Sequence, residues 1–146
     1  MHGTDGYFVT LAERKSKLFL FARVKRKTKS AVSKAIIKLL KPYKNRCKSI
    51  TFDNDGEFAA HEKISKSLKG HIYFAKPYHS WQRGLNENSN GLLRRYFPKK
   101  TGIANISNKV LQEVRLLINI RPRKTLDYLS PLEVITGKRV SLIVRI

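Results

Sequence analysis

Between residues 17 and 40 the apolar period of this chain changes. KLFLFARV (17–24) carries apolar side chains at both odd and even positions, the pattern of a strand covered on both faces. KSAVSKAIIKLL (29–40) instead puts Val32, Ala35, Ile36, Leu39 and Leu40 on one helical face and Lys34, Lys38 and Lys41 elsewhere. Ser30 is the expected N-cap of that helix, and Pro42 marks its end. A chain that switches period in this way needs a sheet with helices packed on it.

The remaining segments extend the pattern. YFVTLA (7–12) reads as a strand joined to 17–24 through the polar ERKS, an antiparallel hairpin with a short loop. SITF (49–52) and HIYFA (71–75) read as short strands, and EFAAHEKISKSLKG (57–70) as a helix stopped at Gly70. NENSNGLLRRYF (86–97) reads as a helix ended by Pro98. SNKVLQEVRLLINI (107–120) reads as an amphipathic helix capped by Ser107 and closed by Pro122. Its expected apolar face is Val110, Leu111, Val114, Leu117 and Ile118. The order strand, strand, helix, strand, helix, strand, helix, helix predicts a mixed α/β sheet flanked by helices. No repeat, low-complexity tract or linker divides the 146 residues, so one domain is expected.

Charge narrows the function. Thirty-one Lys and Arg against ten Asp and Glu leave a formal net charge of +21, which favours a polyanionic partner. Nucleic acid fits better than a membrane, because no segment is cationic on one side and fully apolar on the other. No run is apolar enough to cross a bilayer. With a single cysteine, Cys47, there is no disulfide framework and no cysteine-based zinc site. The first residues lack a signal-peptide layout. An intracellular, nucleoid-associated location is the expectation.

Against this basic background Asp53, Asp55 and Glu57 cluster at the end of SITF. The carboxyl ends of strands in open α/β sheets are where functional residues gather. Glu87 begins a helix thirty-four positions later, flanked by Asn86, Asn88 and Asn90. Asp53 and Glu87 could converge on one divalent cation, and their hard oxygens suit magnesium or manganese. The plainer alternatives are a strand-end turn built with Asn54 and Gly56, and a helix cap at Glu87. HEKIS (61–65) lacks the second histidine of a zinc-protease motif, because its fifth position is Ser65. Trp81 is a packing residue at a loop–helix junction or a platform for a DNA base. Arg94, Arg95, Arg121, Arg123 and Lys124 are the expected phosphate contacts.

Three stretches carry a resemblance: TFDNDGEFAAHEKI, IYFAKPYHSWQRGLNENSNGLLRRYFPKKT and NIRPRKTLDYLSPLEVI. Together they resemble the catalytic core of insertion-sequence transposases of the IS-thirty group, from about Val9 to Ile135. Those enzymes belong to the DDE superfamily and have a ribonuclease-H-like fold related to retroviral integrases. The resemblance implies metal-dependent cleavage and joining of DNA at transposon ends and target. It makes Asp53 the second metal-binding carboxylate and Glu87 the third. It also implies association as a homodimer or with full-length transposase.

The family's first catalytic Asp lies on a strand before the one matched by YFVTLA. Asp5 falls in the turn between those strands, so the first strand and its carboxylate are expected to be missing here, along with the helix-turn-helix region. Asp55 and Asp127 stand where glycine is common in the family, and Ile120 where Asn is. GKRVSLIVRI (137–146) has no family counterpart. The expectation is a catalytic-core fragment that is inactive alone. The alternative is a non-catalytic basic nucleic-acid binder, either a transposase remnant or a ribosomal-type protein. Loss of the first strand further predicts an unpaired sheet edge, unless the hairpin pairs with SITF and HIYFA on its other side.

Overall fold

The computed structural model describes residues 6–26, 28–43, 45–52, 61–68, 72–75, 91–98 and 102–139. Among the described residues four strands form one mixed sheet: β1 (Tyr7–Glu13), β2 (Phe19–Val24), β3 (Ser49–Phe52) and β4 (Tyr73–Ala75), in the order β2-β1-β3-β4. β1 and β2 pair antiparallel from Tyr7↔Val24 to Ala12↔Phe19, the expected hairpin. Gly6, at φ +103, brings the chain into β1 with the Val24 carbonyl oxygen 3.0 Å from where a Cβ would sit, so glycine is needed there.

β1 also pairs antiparallel with β3 through Leu11↔Phe52, Ala12↔Thr51 and Glu13↔Ile50, and β3 runs parallel to β4. The hairpin therefore bonds directly to β3. The expected unpaired edge is not found over Leu11–Glu13, where the chain takes the alternative of pairing on its other side.

Strand alternation builds two cores. Val9, Leu11, Leu20 and Val24 join Ile50, Phe52 and Phe74 on one face. There they are covered by α1 (Lys29–Leu40) through Val32, Ile36, Leu39 and Leu40, and by α2 (His61–Leu68) through Ile64 and Leu68. Phe8, Ala12, Phe19 and Phe21 point to the other face. They meet Leu93 and Phe97, from a helix over 91–96 (α3) and the residue after it, and Leu111, Val114 and Ile118 of α4 (Asn108–Asn119). β2 is thus buried on both sides, as its unbroken apolar run requires.

Two details of the helices differ from expectation. The N-cap of α1 is Thr28 rather than Ser30: Thr28 Oγ1 accepts from the Ala31 N–H at 3.2 Å. Ser30 lies inside the first turn, where its carbonyl accepts from the Ser33 hydroxyl. Ser107 caps α4 as expected, accepting from the Val110 N–H. Only Leu111, Val114 and Ile118 of its apolar face are buried, however; Val110 and Leu117 are exposed, because the buried stripe is narrower than the sequence suggests.

A short helix that the sequence reading did not anticipate, α5 (Pro131–Thr136), follows. The Ser130 hydroxyl accepts from the Glu133 N–H, Glu133 Oε1 accepts from the Ser130 N–H, and Pro131 occupies the first helical turn.

Candidate functional site

Because β3 and β4 are parallel, both end at the same edge of the fold, beside the start of β1 and the end of β2. The Phe52 and Phe74 rings stack there, with centroids 5.5 Å apart and planes 8° from parallel. Position 53 follows directly from Phe52. Asp53, Glu87 and Trp81 themselves lie outside the described residues.

The described cations differ among themselves. Leu93 and Phe97 anchor α3 in the aromatic core, with the Phe97 ring 5.6 Å from Phe8 and 6.2 Å from Phe21. That anchoring leaves Arg94 half-buried and Arg95 exposed on the same helix. Arg121 and Lys124 are exposed. Arg123 is half-buried and sits in a tight loop, in which the Arg123 N–H donates to Leu129 O and the Tyr128 N–H donates to Arg123 O. Its Nε and Nη2 are withdrawn from solvent and have no hydrogen-bond partner among the described residues. Burial first, and the neighbouring Arg121 charge second, hold the Arg123 guanidinium below its ordinary pKa.

In the same loop Asp127 and Tyr128 both have positive φ, 54° and 67°. That conformation is natural to glycine and tolerated by Asp.

The other end of the sheet is more fully built. The Glu13 side chain is 1 % exposed, and both its oxygens accept backbone N–H bonds. Ser16 donates to Oε1 at 2.8 Å and Ser49 donates to Oε2 at 3.1 Å. Cys47, buried nearby, has its thiol pushed up to about 12, by burial first and by the Glu13 charge second. Glu13 is not among the residues expected at a site, because ERKS reads only as the polar loop of the hairpin. The available signal was an acid one residue after an apolar strand and three before a serine, the geometry of a side chain closing its own turn.

The chain matches no protein-family profile. It is 41% identical over 128 residues to the transposase for insertion sequence element IS4351 of Bacteroides fragilis. That alignment covers 88% of this chain and 39% of the relative. It is 39% identical over 132 residues to transposase InsI for insertion sequence element IS30A of Escherichia coli strain K12, covering 90% and 34%.

The chain is homologous to insertion-sequence transposases.

This transposase homologue spans little more than a third of the length of those two relatives. Its fold matches the catalytic core domain of BIV integrase with a TM-score of 0.67 at 20% identity, over 94% of this chain and 90% of that one. A chain of the simian T-cell lymphotropic virus intasome, solved in complex with PP2A regulatory subunit B56 gamma, matches with a TM-score of 0.63 at 22% identity, over 92% and 50%. The fold of the transposase homologue is therefore that of an integrase catalytic core, a ribonuclease-H-like mixed α/β sheet. Among its described residues no three His, Cys, Asp or Glu side chains gather as a metal site, and no helix is long and apolar enough to cross a membrane.

Proposed function

We propose that this chain is the catalytic-core portion of an insertion-sequence transposase, one domain whose family chemistry is metal-dependent cleavage and joining of DNA. The observation that carries the reading is the pairing of close transposase relatives with an integrase-core fold whose β3 runs straight into Asp53. Asp53 and Glu87 are the carboxylates that would hold a magnesium or manganese ion, and their oxygen donors are the type such ions prefer. When bound, that ion would activate the attacking oxygen and stabilise the leaving one.

The chain's own cations hold the DNA. Arg95, Arg121 and Lys124 are exposed and free to meet phosphates, while Arg94 and Arg123 reach from half-buried positions. Trp81 supplies a flat surface for packing or for a base. The reading includes association with DNA at element ends and target, and with a second copy or a full-length transposase. The polypeptide alone is proposed to bind DNA without processing it.

The test incubates the purified chain with end-labelled transposon-end duplex and magnesium or manganese. The expected outcome is retarded DNA with no nicked or joined product. Product that forms with the unaltered chain and vanishes in Glu87→Gln would show an active enzyme instead. A non-catalytic remnant would also bind DNA without making product, so only product formation distinguishes an active core from it.

A further inference from the structure

The turn between β1 and β2 gathers positive charge at the end of the sheet opposite Asp53. A cleft of about 440 Å³ there is lined by Glu13, Arg14, Lys15, Lys17, Lys48 and Ser49. β3 runs from Ser49 at this cleft to Phe52, three steps or about 10 Å at the usual strand rise. Three of its cations come from the turn and the fourth from the residue before β3, so two segments distant in sequence converge.

The convergence is fixed by backbone bonds. The Glu13 N–H donates to Leu18 O and the Lys17 N–H to Glu13 O, closing the turn. The Arg14 N–H donates to Ser49 O, and the Tyr73 N–H donates to Lys48 O. The buried Glu13 carboxylate clasps both segments through Ser16 and Ser49. Its two oxygens accept those N–H groups and the side chain is buried, while Arg14, Lys15, Lys17 and Lys48 line the same cleft.

One of these cations is held at a conformational cost. Lys17 has φ +63, a left-handed backbone that glycine or Asn adopts more readily. A turn chosen only for connecting two strands would favour glycine at that position. Keeping a lysine there makes sense when its ammonium has a task.

We propose that this cleft is a second docking point for a nucleic-acid backbone, taking phosphodiester oxyanions at the end of the sheet remote from Asp53. The inference rests on the DNA-binding reading above and adds residues that it does not use. An acidic peptide is the weaker partner for such a cleft, given relatives that are transposases and a chain carrying +21. Two contacts to one DNA molecule from opposite ends of the sheet would orient the core on its substrate.

The test compares two variants of equal charge loss, Lys17→Gly with Lys48→Ala, and Lys34→Ala with Lys38→Ala. The second pair lies on the exposed face of α1. Affinity for a short labelled DNA duplex is measured by fluorescence anisotropy across salt concentrations, with the melting temperature read alongside. Losing two phosphate contacts should lower the slope of log affinity against log salt by about 1.8, while the control pair changes it little. Lys17→Gly relieves the left-handed strain, so the folded state should be retained.

Equal slopes for the cleft pair and the unaltered chain would overturn the inference, and so would an equal fall in the control pair. Unaltered chain that binds no DNA would overturn the DNA-binding reading as well, which separates the two failures. In a parallel arm, inorganic phosphate is titrated against the amide resonances of Ser16 and Ser49. Shifts there, with DNA slopes unchanged by the cleft substitutions, would make free phosphate the ligand and remove the backbone assignment. Competition by polyglutamate that depends on the cleft pair and exceeds competition by DNA would point to an acidic peptide and sink the proposal.

Discussion

The two edges of the sheet are finished in different ways. β2 is an edge strand six residues long, and outward backbone groups of Phe19 and Phe21 are met by side chains of α4. Asn119 accepts from the Phe19 N–H at 2.8 Å through Oδ1 and donates to the Phe19 carbonyl at 2.7 Å through Nδ2. Arg115 Nη1 donates to the Phe21 carbonyl at 3.3 Å. Arg23 reaches outward to the carbonyls of Ile103 and Ile106 and to Asn108 Oδ1. The opposite edge, β4, is only three residues long and carries Tyr73 at 65% exposure. A long apolar edge invites pairing with another chain, whereas a short one offers little to pair with. The long edge is therefore sealed by a helix that mimics a neighbouring strand, and the short edge depends on its length.

That contrast can be broken by substitution. Asn119 is 1 % exposed, and Asn119→Leu would strip partners from both backbone groups of Phe19. Each buried group left unpaired costs about 1–3 kcal/mol, so this should be the largest loss, read by urea denaturation and accompanied by concentration-dependent association. A fully stable, monomeric Asn119→Leu would show that the seal is ornamental. Arg115→Met should cost about 1 kcal/mol, since it removes one long bond while keeping most of the packing stem. Tyr73→Lys at the short edge should move stability by no more than about 0.5 kcal/mol. A loss there rivalling that of Asn119→Leu would mean that both edges depend on covering side chains.

Sequence made the sheet's faces legible but not its edges. The two-faced run of 17–24, the one-sided stripe of α1 and the exact span of SITF could all be read because burial leaves a period in the residues. The Asn119 bridge spans a hundred positions and leaves no period, so nothing local announces it. Thr28 holds the cap expected of Ser30, since both residue types can cap and the helix begins two residues earlier than the apolar stripe suggests. The capping box at Ser130 and Glu133 is local, a serine three residues before a glutamate ahead of an apolar pair, and is legible in the sequence.

For the candidate site, the sequence supplied residue types, and the resemblance supplied their roles. The structure adds where β3 ends and which arginines are exposed. It also shows that Arg123 turns two of its nitrogens inward, a distinction that no count of basic residues could draw.

The packing around Glu13 has a further consequence for Cys47. Burial first and the Glu13 charge second push its thiol up to about 12, so the thiolate that attacks a disulfide is scarce near neutral pH. The single cysteine of this chain is therefore shielded from exchange while the protein is folded. Oxidants and mixed-disulfide exchange would reach it only through an opened molecule, so cross-linked copies would record unfolding rather than assembly.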